Sequence, residues 1–167
     1  SLRPGPQGRS PDPRSNLGTP PGMIFRDRSD ISLLRDLLAA SDRILITTHR
    51  HPDGDAVGAL LAFSRALHAA GKTVTPHTPD APPAFLRFLP GCTDIVQNLP
   101  PAFAYDLVIA VDHSDLRRTG LEDELLERRI PVVAIDHHAT ADRRGSVVLV
   151  EPEAAATCEM LVALFPL

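Results

Sequence analysis

The sequence predicts an α/β domain in which a mainly parallel β-sheet carries helices on both faces. Three apolar runs rich in Val, Ile and Leu have the length of buried strands, at residues 43–48, 105–111 and 131–135. Segments with helical spacing of apolar residues separate these runs, and this alternation is typical of parallel sheets that are buried on both faces. Each run is followed by acidic or imidazole side chains, which places polar chemistry at the strand ends.

The other elements are predicted in chain order from periodicity and end signals. Ser29 and Asp30 favour the start of an amphipathic first helix, and Gly71 favours the end of a buried helix over residues 56–70. Further strands are expected at residues 73–76 and 146–150, and further helices at residues 82–89, 121–129 and 154–165.

The ends of the chain differ in character from its middle. Residues 1–22 are dense in Pro, Gly, Ser and Arg and nearly lack large apolar side chains, so we expect a disordered extension. Residues 23–167 are expected to form one catalytic domain. Because the chain stops within an apolar segment, we expect this domain to be incomplete at its carboxyl end.

Composition excludes several classes of partner. The 17 Lys and Arg residues against 21 Asp and Glu residues provide no sequence-wide basic surface for duplex DNA. No apolar run approaches the roughly 20 residues that span a bilayer, so no membrane partner is expected. Cys92 and Cys158 are too few for a disulfide framework, which favours a reduced, cytoplasmic setting.

The polar residues at the strand ends form the candidate site. The set comprises His49, Asp53 and Asp55 after the first run, Asp112 after the second, and Asp136, His137 and His138 after the third. In a parallel sheet these groups converge on one edge. So many carboxylates repel one another unless protons or cations are present, and mixed oxygen and imidazole donors suit divalent metals. Two ions that share one carboxylate would relieve the repulsion, and Asp112 is the natural bridge.

These residues resemble the motifs of the DHH phosphoesterase superfamily. The resemblance is carried by His49-x-x-x-Asp53-x-Asp55, by Asp112 at a strand end and above all by Asp136-His137-His138. Residues 52–58, 114–120 and 155–159 are similar to the bacterial oligoribonuclease and pAp phosphatase branch. The similarity extends over residues 44–164.

The resemblance implies two Mn²⁺ ions, with Mg²⁺ or Co²⁺ as substitutes, and hydrolysis of phosphate esters, phosphodiesters or phosphoanhydrides. The implied metal ligands are His49 and Asp53 for one ion, Asp55 and His137 for the other, and Asp112 between them. Asp136 and His138 are the implied catalytic residues, Asp136 as a group that orients a neighbour by hydrogen bonding. His138 and Arg118 would face the substrate phosphate.

The sequence also departs from the family pattern. Ala59 stands where Ser is common, and His113 where a smaller residue is usual. A fourth metal motif and a Gly- and His-rich substrate domain are expected beyond Leu167. Weak or no activity is therefore expected of this stretch alone.

Other polar residues admit simpler interpretations. Asp112 could cap a following helix rather than bind metal. His51 and His113 flank the site and are candidates for substrate contact, His68 and His77 are expected to be structural or solvated, and Arg143 and Arg144 to form a solvated turn.

The leading hypothesis is a Mn²⁺-dependent phosphoesterase that acts on short oligoribonucleotides or on 3′-phosphoadenosine 5′-phosphate (pAp). A cyclic-dinucleotide phosphodiesterase or an inorganic pyrophosphatase of the same superfamily is the related alternative. A non-catalytic nucleotide-binding module is the alternative from another class. The expected partner is short RNA or a nucleotide, and a homodimer is compatible with the sequence.

Overall fold

The computed structural model describes residue 25, residues 28–100, residue 102 and residues 104–165. The helices are α1 (Arg28–Ala40), α2 (Gly54–Ala69), α3 (Glu122–Arg128) and α4 (Thr157–Leu164). The strands are β1 (Arg43–Thr47), β2 (Thr73–His77), β3 (Leu107–Val111), β4 (Val132–Asp136) and β5 (Val147–Val150). The predicted extension over residues 1–22 lies outside the described residues.

The five strands form one sheet in the order β2-β1-β3-β4-β5, and every neighbouring pair is parallel. The chain moves from β1 to β2 on one side and then crosses back to β3 on the other side of β1. Because strand–helix–strand connections are right-handed, this reversal sends α2 and α3 to opposite faces of the sheet. A reversal of this kind opens a crevice at the carboxyl ends of the two strands that flank it.

Both faces of the sheet are buried, as the continuous apolar runs predict. Alternate residues of β1 point to opposite sides, so that Ile44 and Ile46 join the core under α1, α2 and α4 while Leu45 joins the core under α3. Every residue of β3 and β4 is buried. The predicted α/β fold with helices on both faces is confirmed.

One predicted helix is wrong. Residues 82–89 form only a single 3₁₀ turn at Ala84–Leu86, and a second turn follows at Cys92–Asp94. The apolar pattern predicted a helix with a buried face. Leu86 is buried, but Phe85 and Phe88 are 73% and 78% exposed, so these residues do not form such a face. The last helix also begins later than predicted, at Thr157.

None of the helices in the described ranges is both long enough and apolar enough to cross a membrane.

Candidate metal centre

The candidate site lies at the carboxyl edge of the sheet, around the crevice between β1 and β3. His49 follows β1 by two residues, Asp112 follows β3 directly, and Asp136 is the last residue of β4. The structure thus brings the three predicted strand ends together, since β1, β3 and β4 are adjacent.

A first cluster contains His49, Asp53 and Asp112, whose ligand atoms all lie within 4.8 Å of one another. The His49 Nδ1 atom lies 2.7 Å from the Arg50 carbonyl oxygen. If that nitrogen carries the proton, it donates to the carbonyl and leaves Nε2 as a free ligand atom. His49 Nε2 lies 3.8 Å from Asp112 Oδ2, so the free nitrogen faces the carboxylate.

Asp53 is positioned by the start of α2. It is the N-cap residue of this helix, and its Oδ1 accepts the backbone N–H groups of Asp55 and Ala56 at 3.0 Å each. An Asp at this position satisfies amides that have no partner within the helix. Its other carboxylate oxygen takes no part in this cap and remains available to a cation.

A second cluster contains Asp112, His137 and His138, whose ligand atoms also lie within 4.8 Å of one another. The His137 Nδ1 atom lies 3.3 Å from the Ala154 carbonyl oxygen. Its Nε2 lies 3.7 Å from Asp112 Oδ1 and 3.8 Å from Asp55 Oδ2. His137 therefore has the same arrangement as His49, with one nitrogen tied to a carbonyl and the other turned toward carboxylates.

Asp112 belongs to both clusters. Its Oδ2 faces His49 and its Oδ1 faces His137. The residue is nearly fully buried and has a left-handed backbone with φ of 51°, a conformation that costs a non-glycine residue of order 1–3 kcal/mol. Its backbone N–H donates to the Ile135 carbonyl at 2.9 Å. Asp112 caps no helix, since Asp115 is the N-cap residue of the next turn.

Asp55 is held by the start of α4. Its Oδ2 accepts the backbone N–H of Thr157 at 2.7 Å, and its Oδ1 accepts that of Cys158 at 2.9 Å. The Thr157 hydroxyl donates to Asp112 Oδ1 at 3.1 Å. These contacts explain why α4 begins at Thr157: the cap comes from Asp55 in the first turn of α2 rather than from Ala156, which precedes the helix.

Asp136 lies behind the two clusters and is fully buried. Its Oδ1 lies 2.7 Å from His138 Nδ1 and accepts the His138 backbone N–H at 3.0 Å, while its Oδ2 accepts the Ser114 backbone N–H at 2.6 Å. Burial opposes ionisation, but these hydrogen bonds outweigh it and lower the pKa of Asp136. The His138 side chain is 40% exposed, so Asp136 orients a ring that solvent or substrate can reach.

The remaining predicted residues occupy different positions. Arg118 Nη2 lies 3.1 Å from His49 Nδ1, which places this guanidinium at the first cluster. His113 is fully buried and lies 3.2 Å from Asp142, so it cannot contact a substrate without rearrangement. His51 is 87% exposed and pairs with Asp80.

Three of the less specific expectations have clear outcomes. His77 is buried, and its Nδ1 lies 2.9 Å from Thr47 Oγ1, which makes it structural rather than solvated. Arg143 is exposed. Arg144 is partly ordered by ion pairs with Glu122 and Asp142, so it is not a freely solvated turn residue.

The donor set suits divalent cations. Carboxylate oxygens and imidazole nitrogens are typical ligands of Mn²⁺, Mg²⁺ and Zn²⁺. The Asp112 carboxylate raises the pKa of His49, although burial and the Arg118 guanidinium act in the opposite direction. The buried carboxylate beside this ring favours a positive charge, and a bound cation would supply that charge. The residues present therefore fit a pair of metal ions.

Sequence reasoning missed two contributors. Thr157 donates hydrogen bonds to two of the predicted ligands, Asp55 and Asp112. Asp142 accepts the Leu116 backbone N–H and contacts His113. Thr157 lies in one of the segments that carried the family resemblance, so its position was visible but its role was not. Asp142 lies in a polar turn and carries no local signal.

Comparison with known proteins agrees with this geometry. An α/β domain with carboxylates and imidazoles at a sheet crevice defines a class of candidate metal-binding domains. Residues 43–166 match the DHH family, N-terminal domain, and the chain belongs to this family.

Three relatives show how the chain compares in detail. It is 39% identical over 135 residues to the bifunctional oligoribonuclease and PAP phosphatase NrnA of Thermus thermophilus, an alignment that covers 78% of this chain and 39% of that protein. It is 31% identical over 150 residues to the cyclic-di-AMP phosphodiesterase GdpP of Geobacillus thermodenitrificans, covering 78% of this chain and 22% of that protein.

The third relative is a solved structure. The crystal structure of an exopolyphosphatase-related protein from Bacteroides fragilis superposes with a TM-score of 0.77 at 26% identity, and covers 84% of this chain and 44% of that chain. The chain thus spans less than half the length of each of these three proteins.

Proposed function

We propose that this chain is the catalytic domain of a Mn²⁺-dependent phosphoesterase that hydrolyses short oligoribonucleotides, pAp or both. The observation that carries the proposal is the position of Asp112, whose two oxygens face the imidazole nitrogens of His49 and His137. A carboxylate in that position can be shared by two ions. The 39% identity to an oligoribonuclease and PAP phosphatase supports the choice of substrate.

The roles of the chain's own residues follow from their contacts. His49, Asp53 and Asp112 would hold one ion, and Asp55, Asp112 and His137 the other. Such a pair supplies an activated water and neutralises charge on the phosphoryl oxygens. Arg118 beside His49 would add a guanidinium for a phosphate oxygen, since its planar fork suits that group.

His138 is the residue best placed to handle a proton. Its Nδ1 lies 2.7 Å from the buried Asp136 carboxylate, which can stabilise a protonated ring. The Nε2–H of that ring is then free to bind a phosphoryl oxygen or to protonate the leaving oxygen. Asp136 would act through His138 and touch no substrate itself, because it is fully buried.

The experiment is a hydrolysis assay of the full-length protein with Mn²⁺. Wild-type protein is expected to release phosphate from pAp or mononucleotides from a short RNA, and Asp112→Ala to abolish both activities. Asp36→Ala removes an exposed carboxylate from α1 and serves as the control. Equal activity of Asp112→Ala and wild type would contradict the proposal.

A second candidate substrate has its own support. The 31% identity to a cyclic-di-AMP phosphodiesterase favours including cyclic-di-AMP in the same assay, beside inorganic pyrophosphate. Preferential hydrolysis of cyclic-di-AMP would identify this dinucleotide, rather than RNA or pAp, as the substrate. Mn²⁺ binding with no turnover of any phosphate ester would instead indicate a nucleotide-binding module.

The proposed setting is the cytoplasm. Short RNA fragments and nucleotides are found there, and Cys92 and Cys158 are both free.

A further inference from the structure

Thr157 touches two of the proposed metal ligands at once. It is the first residue of α4 and is fully buried. Its backbone N–H donates to Asp55 Oδ2 at 2.7 Å, and its hydroxyl donates to Asp112 Oδ1 at 3.1 Å. Asp55 lies in the first turn of α2 and Asp112 directly follows β3, so Thr157 fixes the relative position of ligands from two separate elements.

We propose that Thr157 is a positioning residue of the second metal cluster, in which its hydroxyl orients the Asp112 carboxylate toward the ion that Asp55 and His137 also hold. This inference rests on the proposed function, because it assumes that the cluster binds a metal. No role in the chemistry itself is assigned to the hydroxyl.

The Asp112 carboxylate needs such a restraint. Its Oδ1 lies between two imidazoles, 3.7 Å from His137 Nε2 and 3.5 Å from His138 Nδ1. The hydroxyl of Thr157 donates a hydrogen bond to Asp112 Oδ1 at 3.1 Å. A donor that occupies one lone pair of a ligand oxygen leaves the other lone pair in a defined direction, which is how neighbours of a metal ligand tune affinity.

The restraint applies to the second cluster and not to the first. Asp53 is held by the amides of its own helix α2, which lie two and three residues further along the chain. Asp55, in contrast, is held by the amides of Thr157 and Cys158 at the start of α4. The Thr157 hydroxyl contacts Asp112 Oδ1, which faces His137, whereas Oδ2 faces His49, so its loss should weaken one ion selectively.

The test is calorimetric titration of Mn²⁺ into full-length wild type, Thr157→Val and Thr157→Ser. Valine keeps the shape of threonine and removes the hydroxyl, whereas serine keeps the hydroxyl. We expect Thr157→Val to lose about 10–100-fold in affinity for one ion and to bind the other as wild type does. Thr157→Ser is expected to restore the weakened affinity.

Ser64→Ala is the matched control for the loss of a buried hydroxyl. The Ser64 hydroxyl donates to the Leu60 carbonyl at 2.8 Å within α2, and this variant should bind both ions normally. If Thr157→Val does not fold by circular dichroism, Thr157→Ala also lacks the hydroxyl and provides the same comparison.

Two results would overturn the inference while leaving the metal centre intact. One is wild-type affinity for both ions in Thr157→Val, and the other is an equal loss in Thr157→Ser, which would indicate packing rather than the hydroxyl. Absence of Mn²⁺ binding by the wild type would contradict the proposed function itself and is distinguishable from both.

Discussion

Asp55 accepts the backbone N–H of Thr157 at 2.7 Å, although 102 residues separate the two along the chain. The first turn of α2 therefore caps α4, the helix that follows β5. The same carboxylate faces His137 Nε2 at 3.8 Å. Asp55 thus connects the start of α4 with His137 of the second cluster.

Loss of the Asp55 carboxylate should loosen α4. In Asp55→Ala the amides of Thr157 and Cys158 lose their acceptor, so that hydrogen–deuterium exchange in α4 should accelerate. Helix α3 does not touch Asp55 and is the internal control, with exchange unchanged. Unaltered exchange in α4 would show that this cap does not hold the helix.

Asp136→Asn should separate catalysis from metal binding. The amide keeps the shape of the carboxylate but cannot accept from both Ser114 and His138 or stabilise a protonated His138 ring. Activity toward pAp or short RNA is expected to fall about 10–100-fold with both Mn²⁺ ions still bound. Asp36→Asn alters an exposed carboxylate on α1, outside the clusters, and should leave turnover unchanged. Loss of the ions from Asp136→Asn would instead assign Asp136 a part in binding metal.

Stability should fall as the pH falls below the ordinary pKa of histidine, in part because of His77. Burial lowers the pKa of His77 to about 4 from 6.5, despite a backbone contact with Gln97 that raises it. Between these two values the unfolded chain binds more protons at this site than the folded chain, so protonation favours unfolding. The full contribution is present above about pH 6.5 and is lost toward pH 4.

His77→Gln tests this contribution because glutamine can still bond to Thr47 but does not titrate. Between pH 7 and pH 5, wild type should lose roughly 2 kcal/mol more of its free energy of unfolding than the variant does. Urea unfolding of both proteins at the two pH values measures the difference. Equal losses would mean that His77 takes up protons alike in the folded and unfolded chains, so that folding does not lower its pKa.

Gly145 is expected to tolerate no side chain. A Cβ atom there would lie 2.9 Å from the Val132 carbonyl oxygen and 3.0 Å from that of Val147, both in the backbone of neighbouring strands. Gly145→Ala should cost about 1–3 kcal/mol in the free energy of unfolding, because rigid backbone must move. Gly54→Ala, where a Cβ meets no atom within 4 Å, should be neutral or slightly stabilising. Thermal unfolding in EDTA compares the melting temperatures of Gly145→Ala and Gly54→Ala. Similar melting temperatures for the two variants would contradict the prediction.

Local patterns predicted the parts of the fold that depend on local physics. The runs at β1, β3 and β4 are buried on both faces, so their composition alone identifies them. Their positions also predicted which polar residues meet, since the carboxyl ends of adjacent parallel strands share one edge. The helix predicted over residues 82–89 is wrong because the exposure of Phe85 and Phe88 depends on their surroundings and not on their spacing in the sequence.

The contacts that sequence reasoning could not supply are those between distant segments. Thr157 meets Asp55 and Asp112 only because α4 packs against α2 beside the crevice. His113 is buried, and its Nε2 lies 3.2 Å from Asp142 Oδ1 in the loop after β4. Neither contact leaves a periodic signal, since each joins single residues across the fold.

The most direct test of the two-metal centre is the number of Mn²⁺ ions bound per chain, measured by equilibrium dialysis of the full-length protein at saturating metal. A site that shares Asp112 between two clusters predicts two ions in wild type and fewer in Asp112→Asn, with Asp36→Asn unchanged. One ion or none in wild type, or an undiminished count in Asp112→Asn, would contradict a metal pair bridged by Asp112.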